Sequence, residues 1–271
     1  MNRTIDAISC REEEELSTSE LVLDRERSAF ILRKKIRSVS GRKRLGLAWI
    51  VIDPIVTSLI YLFVLTILRA RSDPESLFIG IALYGVLQNS MKSGIASIKD
   101  ITGGFKAERV RTRTMVMSTI KYRLIDTTAS TIGVAGILFF FYKIDFTGVT
   151  LFIVVSTILG ITFEGIGLSL SLIMRRIPDL VNVTNLFLRL MFFAGPVMYP
   201  MAATSGIHYE INLFNPFTYF VEIARFFSSQ ESLVNSVSEY YFILTFVFCS
   251  LVATLGYLRM DKTRWVISSW S

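Results

Sequence analysis

The chain has 271 residues, of which 52% are hydrophobic and only 19% charged, with a mean hydropathy of +0.51. A soluble domain carries roughly a quarter charged residues and a disordered chain far less apolar material, so both classes are excluded. Two cysteines, Cys10 and Cys249, cannot build a disulfide scaffold, and the net charge of +7 suits either nucleic acid or a membrane surface until the placement of the charges is read.

Residues 1–23 form a polar, mobile tail containing an acidic run. Residues 24–44 read as an amphipathic helix and linker, with Ala29, Leu32, Ile36 and Val39 on one helical stripe and Arg33, Lys34 and Arg37 off it. Such a helix is expected in the headgroup layer of the membrane. Six apolar runs follow, at about residues 45–68, 77–98, 124–142, 148–174, 181–199 and 240–258. Each approaches the length needed to cross about 30 Å of hydrocarbon as a helix. The expected fold is therefore an all-α integral membrane protein with a six-span domain over 45–258 and a short tail over 259–271. Residues 200–239, broken at Pro200 and Asn215-Pro216, are expected to hold a pair of short re-entrant or interfacial helices on the outer side. The first 44 residues lack a secretory signal pattern.

The basic residues give an orientation. Of the 29, 23 lie before the first run, between the second and third, after the fourth or after the sixth; four lie on the opposite side, and Lys92 and Arg189 fall within runs. The bias predicts that both termini face the cytoplasm. It also accounts for the net charge without nucleic acid.

Enzyme signatures are scarce. The dipeptide Gly-Lys does not occur, so the chain has no P-loop, and neither GxSxG nor HExxH is present. The one histidine, His208, has no ligand set around it for a metal. The expectation is no metal, no catalytic residue and no cofactor held by this chain.

Ionisable residues inside apolar runs carry more information. Glu164 lies about 16 Å and Arg189 about 15 Å from the cytoplasmic turn at helical rise. The matching depths predict that the two pair across the hairpin of the fourth and fifth runs. Aromatics such as Trp49, Phe78, Tyr142, Tyr199, Phe217 and Tyr219 sit at interface level. They read as an aromatic belt, or as a conduit whose rings face sugar C–H groups. Arg42, Lys43 and Arg44 either anchor the membrane edge or attract a lipid phosphate. The segment 100–118, with Phe105, Arg109, Arg111 and Arg113, and the turn with Arg176 and Asp179, read as a cytoplasmic docking surface.

Four segments in order resemble one family. They are Leu45-Gly46-Leu47-Ala48-Trp49 followed by Pro54, Arg176-Ile177-Pro178-Asp179-Leu180, Gly195-Pro196-Val197-Met198-Tyr199-Pro200, and Asn215-Pro216-Phe217-Thr218 with Glu222 and Arg225. Together they resemble the membrane permeases of type-2 ABC exporters, in particular the polysaccharide-export group. One step differs: Arg111-Thr112-Arg113-Thr114-Met115 has no proline where that family often carries an aromatic-Pro-Arg step. The resemblance implies a homodimer with two cytoplasmic ABC ATPase subunits that hold ATP and magnesium. It also implies cytoplasmic loops that couple to them, and an outer gate around Asn215, Pro216, Glu222 and Arg225. The implied cargo is a glycan on a polyprenyl diphosphate. Competing readings are a type-2 exporter of small hydrophobic compounds or lipids, a polyprenyl-phosphate enzyme, and a secondary transporter. Scattered Asp53, Asp100, Asp126 and Asp179 without a DxD pair argue against the enzyme, and the lack of an internal repeat argues against the secondary transporter.

Overall fold

The computed structural model describes residues 18–40, 45–67, 74–103, 112–174, 177–229 and 239–262. Among these residues the chain is all helical. In chain order the helices are α1 (Thr18–Ser40), α2 (Ala48–Ile67), α3 (Pro74–Gly103), α4 (Thr112–Phe141), α5 (Phe146–Met174), α6 (Leu180–Ala194), α7 (Ile207–Leu213), α8 (Pro216–Ser229) and α9 (Glu239–Lys262). A 3₁₀ turn at Met201–Ala203 precedes α7.

Two helical stretches, Thr114–Phe141 and Phe146–Met174, are long and apolar enough to cross a membrane. Shorter apolar stretches lie at Ala48–Val64, Leu180–Ala194 and Ile243–Leu258. Helix α3 is more polar along its length, yet it is the centre of the bundle. Leu77, Phe78, Ile79, Ile81, Ala82, Leu83, Val86 and Leu87 are all buried, so the first half of α3 is covered on every side. It packs on α5, α2, α8 and α4, and α5 in turn packs on α9 and α8. The outward faces of α2, α6 and α9 expose large apolar side chains, among them Phe63, Leu186, Phe193 and Phe248. Large exposed apolar faces on a helical bundle are what hydrocarbon covers.

Local sequence sets the element ends. Pro74 and Pro216 open α3 and α8, where a missing N–H costs nothing. The Asn215 side-chain oxygen accepts the Phe217 N–H at 3.1 Å and caps α8. Lys143 takes a positive φ of 56° in the tight turn between α4 and α5. Helix α6 stops at Gly195-Pro196, five residues short of the expected fifth run.

Two expectations shift. Helix α1 begins at Thr18 rather than Asp24, and the face it buries is Asp24, Ser28 and Ile31, with Lys35 half-buried. The apolar stripe Ala29, Leu32 and Ile36 flanks that face, because α1 meets α4 through polar groups. Lys121 Nζ donates to Ser28 Oγ at 3.4 Å and Lys35 Nζ stands 5.0 Å above the Tyr122 ring. The second shift concerns the third run, expected from Leu124. Its helix starts at Thr112, which carries Lys121 and Arg123 from the expected loop into a helix.

Candidate functional site

Burying a charge costs several kcal/mol unless it is paired and hydrogen-bonded. The described residues bury two guanidinium groups, and each organises a polar node.

The first node lies where the 195–206 connection and α8 meet the start of α3. Arg225 on α8 pairs with Glu222 one turn earlier, Nη1 to Oε1 at 2.9 Å. The same guanidinium donates to the carbonyls of Ser76 (3.1 Å), Pro196 (2.8 Å), Tyr199 (3.1 Å) and Val197 (3.0 Å). Glu222 Oε1 also accepts the Met201 N–H at 3.1 Å. Gly80 makes room, since a Cβ there would stand 2.8 Å from Arg225 Nη2 and 2.9 Å from the Val197 carbonyl carbon. The expected gate residues Asn215, Pro216, Glu222 and Arg225 are thus on one element, with Asn215 capping it and the ion pair tying it to the rest.

Beside this node the end of α6 is capped by side chains. Tyr199 Oη donates to the Ala194 carbonyl at 2.8 Å, and Asn212 Nδ2 donates to the same oxygen at 2.9 Å. His208 Nε2 lies 2.6 Å from Tyr199 Oη and 2.9 Å from that carbonyl. The single histidine is a helix-end partner. Among the described residues no three of His, Cys, Asp and Glu gather as a metal site.

The second node is in the middle of the bundle. Glu164 on α5 is 0% exposed and Arg123 on α4 is 3% exposed. Arg123 Nη1 meets Asp126 Oδ2 at 2.8 Å, and Nη2 reaches Glu164 Oε1 and the Asn89 carbonyl, each at 3.4 Å. Ser93 on α3 donates to Glu164 Oε1 at 2.9 Å. The expected partner Arg189 is not there. Helix α6 leans on α3, where Tyr84 donates to the Leu188 carbonyl at 2.7 Å, and Arg189 faces outward. The depths matched, but α3 and α4 occupy the side of α5 on which α6 was expected. Arg123 was missed because it was read as a loop residue. A signal was present: Thr119, Arg123, Thr127 and Thr131 recur every four residues, and all four are buried.

The aromatic candidates separate. Phe217 is 0% and Tyr219 3% exposed, so both are core residues of the protomer rather than faces offered to a conduit. Phe217 packs against Tyr84 with ring centroids 6.3 Å apart, and Tyr219 Oη donates to the Leu213 carbonyl. Their depth follows from α8 folding back onto α3. Trp49 is exposed, and Tyr142 is half-buried with its ring 6.0 Å from Phe78. Lys92 is exposed on α3. Asp179 is exposed before α6 and makes no side-chain cap. The phosphate candidates Arg42, Lys43 and Arg44 and the docking candidates Phe105, Arg109, Arg111 and Arg176 lie outside the described residues. Arg113 is in the first turn of α4.

Comparison with known proteins fits this architecture. Residues 28–228 match the ABC-2 type transporter family. The chain is also similar to two polysialic acid transport proteins, KpsM, of Escherichia coli. It is 24% identical to each over 207 and 208 residues, which cover 73% of this chain and 78% of the relative. The family match runs from within α1 to the last turn of α8. This chain therefore belongs to the ABC-2 type transporters, as an integral membrane permease that uses ATP only through a partner ATPase.

Proposed function

We propose that this permease exports a lipid-linked polysaccharide across the cytoplasmic membrane. Two copies form the channel, and two cytoplasmic ABC ATPase subunits drive it. The observation that carries the cargo is the similarity, over most of both lengths, to two proteins named for polysialic acid transport. With Arg123 set aside as a bundle residue, the division of basic residues is 22 to 4, and it supports six spans over 45–258 with both termini in the cytoplasm. Residues 24–44 then lie at the cytoplasmic interface, and α7 and α8 form the short outer helices. The segment 100–118 and the turn at 175–180 face the ATPase.

In this reading a rearrangement of the ATPase pushes on those two segments, and the bundle answers by exchanging one packed state for another. The Glu222–Arg225 node holds the outer helices to the start of α3, so that α8 and α3 move together. Arg42, Lys43 and Arg44 attract the diphosphate of the carrier lipid.

The test is mild detergent extraction of the tagged chain from its native membrane, followed by quantitative mass spectrometry. The expected result is an ABC ATPase in roughly one-to-one ratio with the chain, together with a polyprenyl-linked glycan. Recovery of the chain without an ATPase would overturn the coupling reading, and a bound small lipid or drug in place of a glycan would overturn the cargo.

A further inference from the structure

The ion pair in the middle of the bundle is only half made. Arg123 commits its short bond to Asp126 on its own helix, while its contacts to α3 and α5 are 3.4 Å long. A well-formed charge-assisted bond is about 2.7–2.9 Å. Four buried polar atoms at this junction have no hydrogen-bond partner among the described residues: Arg123 Nε, Glu164 Oε2, Ser90 Oγ and Thr127 Oγ1.

These atoms are neighbours. Ser90 follows Asn89, whose carbonyl Arg123 meets. Thr127 is one turn beyond Arg123, and Gly160 is one turn before Glu164. A Cβ on Gly160 would stand 2.6 Å from Thr127 Oγ1 and 3.4 Å from Ser90 Oγ. Donors and acceptors are therefore gathered and left unspent. Each unpaired buried group is destabilising. A patch of four is a place where a shift of the surrounding helices has bonds to gain.

The helices that meet here are attached differently. Helices α3 and α4 flank the 104–111 segment, which the permease reading places against the ATPase, and α5 does not. Helix α1 touches the same stretch of α4 through Lys35 and Lys121. A push that reaches α4 meets α5 through this junction, whereas α3 rests on α5 directly.

Resting on the permease reading, the geometry points to Arg123 and Glu164 as positioning residues of ATP-driven transport. They form a two-position junction in which α4 shifts against α5 and Arg123 exchanges its stretched contacts for a bidentate pair with Glu164. The shift opens the Ser90–Thr127 patch and carries the displacement of α4 into the bundle.

The test places a single cysteine, Ser90→Cys, in a chain carrying Cys10→Ser and Cys249→Ala, assembled with its ATPase in native membranes. Labelling by N-ethylmaleimide is expected to run at least about fivefold faster during ATP turnover than without nucleotide, the lower end of allosteric coupling. Glu164→Gln is expected to cut that gain per ATP hydrolysed by about fivefold or more. Arg123→Lys keeps the charge but loses the fork, and should retain an intermediate gain. Equal labelling with and without ATP overturns the junction. So does a loss of labelling gain and of ATP hydrolysis in the same proportion in both variants, which marks a purely structural pair. Absence of ATP hydrolysis in the unsubstituted complex defeats the permease reading itself, whereas hydrolysis with unchanged labelling defeats the junction alone.

Discussion

Arg225 and Arg123 begin from the same local device, a carboxylate three residues away on the same helix at 2.9 Å and 2.8 Å. They end in opposite conditions. Arg225 engages all three of its nitrogens, with four backbone carbonyls around it besides Glu222. Arg123 leaves its Nε idle, and the carboxylate it reaches for on α5 has an idle oxygen of its own. The partners differ in kind as well. Carbonyls in an irregular segment such as 195–200 have no helix to satisfy them, so a fork of donors fixes that segment in one shape. Carbonyls within α3, α4 and α5 already accept helix bonds, so Arg123 finds only the long contact to the Asn89 carbonyl there and depends mainly on side chains. The Arg225 guanidinium is fully engaged and acts as a tie, although Ser76 Oγ, Asn212 Oδ1 and Thr218 Oγ1 nearby have no partner among the described residues. The Arg123 guanidinium, by contrast, is itself only partly engaged.

Four substitutions would sharpen or break this contrast, each read as a change in thermal unfolding of the purified chain in detergent. Arg225→Ala strands Glu222 and four carbonyls and should cost the most, about 3–5 kcal/mol. Gly80→Ala drives a methyl into the Val197 carbonyl and the guanidinium, and should cost about 1–3 kcal/mol as overpacking. Glu164→Gln keeps an acceptor for Ser93 and Arg123 and adds a donor among unpaired hydroxyls, so about 1 kcal/mol is expected. If it costs as much as Arg225→Ala, the two nodes are equivalent and the contrast fails. Tyr257→Phe removes one bond between helices, Oη to the Ile161 carbonyl at 2.9 Å, and should cost about 0.6 kcal/mol.

The sequence carried the helices well, because an apolar run and a Pro or Gly stop are local facts. The 148–174 run and helix Phe146–Met174 nearly coincide. Glu222 and Arg225 stood out in the sequence as motif residues beside Asn215-Pro216, assigned to an outer gate by resemblance, without their pairing being read. The four carbonyl partners of Arg225 were not legible, since nothing local says which backbone an irregular segment brings close. Glu164 was recognisable as a buried charge by its position in an apolar run. Its partner was not, because depth along two helices gives a level and not an azimuth, and α3 and α4 took the side assigned to α6. The long, apolar C-terminal half of α4 drew the boundary of the third run past Arg123 and hid it. The burial of Phe217 and Tyr219 was equally out of reach, since aromatic composition does not tell a lining from a core.

One further feature bears on which part of the bundle is free to shift. Gly94 on α3 and Gly167 on α5 face each other so closely that their backbones touch: a Cβ on Gly167 would stand 2.6 Å from the Met91 carbonyl and 3.1 Å from the Gly94 Cα. On the other side of α5, a Cβ on Gly165 would stand 2.9 Å from the Ala253 Cα of α9. Main chain resting on main chain leaves no side-chain rotamers to absorb a displacement, so α3, α5 and α9 make a stiff slab. Helix α4 packs Val134, Ala135 and Leu138 into the same core toward its C-terminal end, and at the junction it meets the slab through a threonine and an arginine, which have rotamers to change. The slab is the anvil of this permease and α4 is its lever.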